Sequence, residues 1–147
     1  MTIVDQIAAF RRTGDPAPLM AAIPYAAFMG LTVDVTGEQL VGRLRYDDHL
    51  IGNPMLPALH GGTLGALLES TAIFHLLWEA ETLFLPKTIT LTIDYLRSGR
   101  PVDTFARGVI TKQGRRVVNV RAEAWQDDPA RPIAIGNGHF LIVPADG

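Results

Sequence analysis

The chain has 147 residues, 48% of them hydrophobic and 19% charged, with a net charge of −2 and no cysteine. That length supports one well-packed domain over residues 1–147 and hardly two. Without cysteine there are no disulfides, thiolate metal sites or cysteine nucleophiles, and the near-balanced charge gives no electrostatic footprint for nucleic acid or an anionic membrane. Small-molecule chemistry is the expectation. No basic segment precedes an apolar run at the start, so no signal peptide is expected and a cytoplasmic location is.

Thr2 to Arg12 carries Ile3, Ile7 and Phe10 at helical spacing and stops at Gly14-Asp15-Pro16, so a short amphipathic helix is predicted first. A brief helical turn around Pro18 to Ala22 completes an N-terminal extension of about residues 1–23. Leu31 to Thr36 and Glu38 to Tyr46 flank Gly37 as two strands of a hairpin. Pro54 and Pro57 are expected to keep the segment before His60 irregular. A long helix follows, from about Gly61 to Ala80. Thr88 to Tyr95 then alternates strictly, which predicts a half-buried strand with Ile89, Leu91, Ile93 and Tyr95 on one face. Two more strands, Thr104 to Lys112 and Arg116 to Trp125, join at Gln113-Gly114-Arg115, and Pro132 to Val143 supplies the last. This order describes an α+β domain in which an antiparallel sheet covers one helix.

From His49 to Trp78 the only acidic or basic side chain besides histidine is Glu69, which lies more than a turn inside TLGALLESTAIFHLLWE. A carboxylate is costly there unless something uses or pairs it. The bland alternative is a structural acid bonded to backbone or to His75. His60-Gly61-Gly62 marks the helix start, where backbone N–H groups are left without intrahelical partners; such donors beside an acid make half of an acyl-transfer site. The Leu64 to Leu77 run is too short for a bilayer and is interrupted by Glu69, so no membrane span is expected. Because the helix is apolar on nearly all sides, one sheet covers only part of it. A second copy packing helix to helix and sheet edge to sheet edge is the economical cover, so at least a homodimer is expected, with a dimer of dimers left open.

Asn53, then Leu59-His60-Gly61-Gly62, then an acid nine positions after the histidine, then a strand running into Tyr95-Leu96-Arg97, resembles the hotdog-fold acyl-CoA thioesterases of the phenylacetate-degradation (PaaI-like) type. The resemblance spans roughly residues 20–143. It implies a single helix wrapped by a curved antiparallel sheet, dimers or tetramers, and hydrolysis of acyl-CoA at sites between subunits, with coenzyme A arriving as part of the substrate and no separate cofactor. Carried over by position, Asn53 would place the water or the thioester, Glu69 is the catalytic carboxylate, and Gly61 or Gly62 supplies the N–H that polarises the carbonyl. His60 matches the family histidine, and Thr88 matches a hydroxyl that orients the water in some members. Two departures stand out. Six residues separate Asn53 from His60 where many relatives have five, and the acid is Glu where this subgroup often has Asp.

Spacing adds an independent constraint. At about 1.5 Å per residue, Glu69 sits roughly 12 Å along the helix from Gly61, too far for both to reach one carbonyl group. Two antiparallel helices from two subunits resolve this, so composite sites are expected. Arg97, Arg100, Arg115 and Arg116 fall at strand ends or turns and are candidates for the phosphates of coenzyme A. No phosphate-binding loop, dinucleotide fingerprint or serine-hydrolase elbow occurs, and the four histidines lack carboxylates at ligand spacing, so no nucleotide cofactor and no metal are expected. Two rival readings are an acyl-CoA binding or sensing protein without catalysis, and an enoyl-CoA hydratase, which Asp48, Asn53 and Pro54 echo superficially.

Overall fold

The structure, a computed structural model, describes residues 1–80, 82 and 84–143. Helix α1 (Ile3–Thr13) begins with a capping box: Thr2 accepts from the Asp5 amide, and Asp5 accepts from the Thr2 amide. It ends at Gly14, whose φ of 73° is the left-handed conformation that glycine adopts freely. Two short helices follow, α2 (Ala17–Ala21) and α3 (Pro24–Met29), each with proline in its first turn. Strands β1 (Leu31–Thr36) and β2 (Gln39–Leu44) form the expected hairpin about Gly37 and Glu38. Helix α4 (Gly61–Glu79) is the long helix, and β5 (Lys87–Tyr95), β6 (Thr104–Gln113), β7 (Val117–Trp125) and β8 (Ala134–Leu141) complete the chain.

Six strands form one antiparallel sheet in the order β1-β2-β6-β7-β8-β5, wrapped on α4 as in the hotdog fold. Its helix-facing side explains how α4 fits. One row across the sheet reads Gly42, Ala106, Ala124, Ala134, and the next reads Gly108, Ala122, Gly136. These small residues let Leu64, Leu67 and Leu68 of α4 approach closely and fill the space, as dense core packing requires. Further along, Val118, Val120 and Phe140 meet Ala72 and Leu76. No helix among the described residues is long and apolar enough to cross a membrane.

Three expectations change. The segment before His60 is not wholly irregular: β3 (Ile51–Asn53) and β4 (Ala58–Leu59) pair as a two-stranded ribbon, with Pro54 and Pro57 confined to its turn, where no ladder donor is needed. Ile89 is 52% exposed instead of facing the helix. A bulge between Thr88 and Thr90 shifts the register there, so Thr88 stands opposite buried Phe140 while Leu91 and Ile93 keep the inward face. Part of α4 is covered from within the chain. Phe10 of α1 packs on Phe74 and stacks on Trp78 at 5.3 Å, and Arg11 donates to the carbonyls of Leu77 and Ala80 at the helix end. What stays partly open is one stripe along α4: Gly61, Gly62, Gly65, Ala66, Glu69, Ser70 and Ile73.

Candidate functional site

The start of α4 is clamped on three sides. The His60 amide donates to the Leu50 carbonyl at 2.8 Å, and the Leu59 amide donates to the Gly99 carbonyl at 2.9 Å. Gly52 of the ribbon lies so close that a Cβ there would come within 2.6 Å of the His60 Cα. From β5, the Tyr95 hydroxyl donates to the Gly61 carbonyl at 2.9 Å and its ring rests on Gly61.

His60 is the N-cap. Its Nδ1 accepts from the Gly62 amide at 2.9 Å, which puts the proton of the neutral ring on Nε2. The Thr63 amide and hydroxyl both donate to the His60 carbonyl, at 2.9 and 2.6 Å. Sequence left Gly61 and Gly62 as equal oxyanion candidates, and these bonds separate them. The Gly62 N–H is spent on His60, whereas the Gly61 N–H has no partner among the described residues. It opens at the positive end of a 19-residue helix.

Glu69 lies two turns on, along the same open stripe, with no hydrogen bond or ion pair among the described residues. Its expected burial is only partial in the single chain, where the stripe stays partly open at Glu69. The structural-acid reading with His75 does not hold. His75 pairs instead with Glu79, Nε2 to Oε2 at 3.2 Å, and burial holds its imidazole below the usual value of 6.5, an effect Glu79 opposes only in part.

The other candidates fall as follows. Asn53, exposed at the end of β3, accepts from the Met55 amide at 3.0 Å, a turn over Pro54, and follows the Gly52 that touches His60. Thr88 is exposed on β5, with no hydrogen bond to Glu69 or His60. Arg97 donates to the Pro132 carbonyl at 2.6 Å and borders a groove of about 310 Å³ with Gly61, Leu64 and Tyr95. Arg100 is ion-paired with Asp127. Arg115 and Arg116 sit in the β6–β7 turn beside a recess of about 440 Å³. That turn adjoins Val118, which packs on Leu76 and Ala80, so this pair marks the opposite end of α4 from Arg97. Tyr95, which orders the helix start, entered the sequence reading as the last apolar residue of an alternating strand and as part of the Tyr95-Leu96-Arg97 run, without a part in placing the helix.

The family profile described as "Thioesterase superfamily" matches residues 56–133, just over half of the chain. No curated protein matches. Among solved structures, a protein from Chromobacterium violaceum is 38% identical, with a TM-score of 0.78 over 96% of this chain and 98% of its own. A phenylacetic acid degradation-related protein from Ralstonia eutropha is 21% identical, TM-score 0.74, covering 93% of this chain and 99% of its own. A Bacillus halodurans protein crystallised with CoA is 20% identical, TM-score 0.73, covering 97% and 92%. The profile match takes in the end of the ribbon, the whole of α4 and β5 to β7, the elements that present the free N–H and the carboxylate, and the chain belongs to the thioesterase superfamily.

Proposed function

We propose that this protein hydrolyses acyl-CoA thioesters to a free acid and coenzyme A, at sites formed between two copies of the chain. The observation that carries the reading is the unpartnered Gly61 N–H at the start of α4, with Glu69 on the same open stripe. In one chain these two groups are about 12 Å apart along the axis. The β5 edge exposes Ile89, Tyr95 and Leu96, and its inner face touches α4 at Gly61 and Gly65. Antiparallel pairing of β5 with β5 of a second copy removes that edge and lays the two small-residue stripes together, so that Glu69 of the partner subunit meets the Gly61 N–H.

There the thioester carbonyl accepts from the Gly61 N–H, aided by the helix dipole, and negative charge collects on that oxygen as the carbonyl carbon is attacked. In one route the partner subunit's Glu69 takes a proton from water as the water oxygen bonds to carbon; the C–S bond then breaks and the thiolate leaves with the electron pair. In the other, the Glu69 carboxylate attacks directly to give a mixed anhydride that water then cleaves. A thiolate leaves readily, so one carboxylate suffices for either. Single-turnover hydrolysis in ¹⁸O-labelled water tests the second route: label in Glu69 arises only from an anhydride that water opens at the Glu69 carbonyl carbon, whereas the general-base route puts all the label in the released acid. The CoA in the Bacillus halodurans neighbour supports a CoA ester as the substrate class. Asn53 and Thr88 are exposed and act, in this reading, on the water or the thioester.

The test is thiol release from short, long and aryl acyl-CoAs by the wild-type protein and by Glu69→Gln, with the dimer confirmed by light scattering. Hydrolysis lost only in the variant supports the reading. A wild-type protein that binds CoA esters without turnover, hydrates enoyl-CoA, or is monomeric overturns it.

A further inference from the structure

The groove beside the α4 start does not close at Gly61. Arg97 and Ser98, on its rim, also border a second recess of about 290 Å³, lined further by Arg100 and Arg131 and by the acidic residues Asp127 and Asp128. The loop after β5 and the loop between β7 and β8 form these walls, and both are fixed by their own hydrogen bonds. Gln126 accepts from the Arg100 amide at 3.1 Å and donates to the Arg100 carbonyl at 2.9 Å and to Thr104 at 3.1 Å. Asp128 accepts from the amides of Ala130 and Arg131, through its side chain and its carbonyl, each at 2.9 Å. The arginine backbones are therefore placed before any ligand arrives, which lowers the ordering cost of binding.

Their guanidinium groups are not equivalent. Arg100 is committed to Asp127. Arg97 spends one N–H on the Pro132 carbonyl and keeps the rest, and Arg131 has no side-chain partner among the described residues. Cations with unspent forked donors at the far end of a groove that begins at a helix N–H suit a ligand with a neutral reacting end and an anionic tail. Coenzyme A has that layout: a thioester, an uncharged pantetheine arm, then phosphates.

We propose that Arg97 and Arg131 bind the phosphate groups of coenzyme A, with the pantetheine arm lying past Ser98 between them and Gly61. The proposal rests on the acyl-CoA reading and adds to it the direction of the bound carrier and a phosphate ligand, Arg131, that its place in the sequence does not reveal. Arg100 neutralises Asp127 by pairing with it, and Asp128 is engaged by the Ala130 amide. Within one chain Arg115 and Arg116, at the other end of α4, do not line this groove.

Two readouts test it. Calorimetric titration of CoA into the wild-type protein, Arg131→Ala, Arg131→Lys and Arg97→Ala gives affinity and its salt dependence. The expected result is a loss of about tenfold or more in each alanine variant, a flatter salt dependence, and partial recovery in Arg131→Lys. In parallel, kcat/KM is compared for one acyl group carried on CoA and on N-acetylcysteamine, which has no phosphate; Arg131→Ala lowers the first about tenfold and leaves the second alone. Arg131 is exposed on a turn, so its variants fold even where loss of the Arg97 bond to Pro132 weakens Arg97→Ala. CoA affinity within twofold of wild type in both alanine variants, or equal losses on both carriers, overturns the proposal. Binding is read without turnover, so arginine-dependent CoA binding with no hydrolysis overturns the thioesterase reading while leaving the phosphate site in place.

Discussion

The ring of Tyr95 lies against Gly61, and its hydroxyl donates to the Gly61 carbonyl, so the last residue of β5 orders the first residue of α4. A Cβ on residue 61 meets that ring at 3.3 Å. Tyr95 is 53% exposed and yields, so Gly61→Ala folds. What it loses is the placement of the Gly61 N–H, which has no partner among the described residues. A roughly tenfold fall in kcat with little change in KM is expected, since small displacements of a catalytic donor are costly. Tyr95→Phe keeps the ring and loses one hydrogen bond worth about 1 kcal/mol at most. Wild-type kcat in Gly61→Ala would remove that N–H from the mechanism.

Glu69 is partly exposed and bonded to nothing among the described residues, so Glu69→Gln should leave thermal stability within about 0.5 kcal/mol of wild type. Its kcat should drop by roughly 10²-fold or more, the range for a lost general base. Matched melting and thiol-release measurements check both halves; a variant that melts early and still hydrolyses contradicts the role given to this side chain.

His60→Ala removes the N-cap acceptor of the Gly62 amide and should cost about 1 kcal/mol of stability. His60→Asn restores a capping oxygen and should recover most of it. Urea denaturation of the two variants decides whether the imidazole acts through capping.

Gly42 faces Thr71 of α4 so closely that an added Cβ falls 2.1 Å from the Thr71 hydroxyl oxygen. Thr71 is buried and cannot swing away, so Gly42→Ala should destabilise by about 1 to 3 kcal/mol. Adding Thr71→Ala removes the clashing oxygen and should return part of the loss. A double-mutant cycle with no coupling between the two sites would contradict this contact.

His75 is buried, and burial keeps its imidazole below the usual 6.5. The unfolded chain then binds more protons than the folded one as pH falls below about 6.5, so stability is full above that value and declines as pH drops toward the folded-state value. Melting temperatures from pH 5 to 8 should show this decline in wild type and a smaller one in His75→Leu. An identical decline in both would assign the effect to other groups.

Much of the fold was legible because its signals are local. The helical spacing of Ile3, Ile7 and Phe10, the alternation from Thr88 to Tyr95 and the apolar stretch of α4 around its lone acid each report on their own neighbourhood, and these elements appear within a few residues of the predicted bounds. The candidate site was legible as residue types at a spacing: a histidine and two glycines where a helix must start, and one carboxylate inside an apolar helix. Ile89 shows the limit. Its alternation pointed inward, but whether a bulge forms depends on the partner strand β8, which lies far along the chain.

Sequence by itself determined a helix with a lone acid inside it and donors at its start, because helical periodicity and desolvation act on a single segment. Only the tertiary structure decided which donor is free, because the commitment of the Gly62 amide depends on the placing of His60, whose backbone is held by Leu50 and whose side chain lies against Gly52. It also decided that α1 covers the far half of α4 and leaves the Glu69 stripe open, and that Arg97 and Arg131 share a groove while Arg115 and Arg116 do not. Those are contacts between segments distant in the chain, and their geometry is set by packing across the whole sheet, which no local pattern encodes.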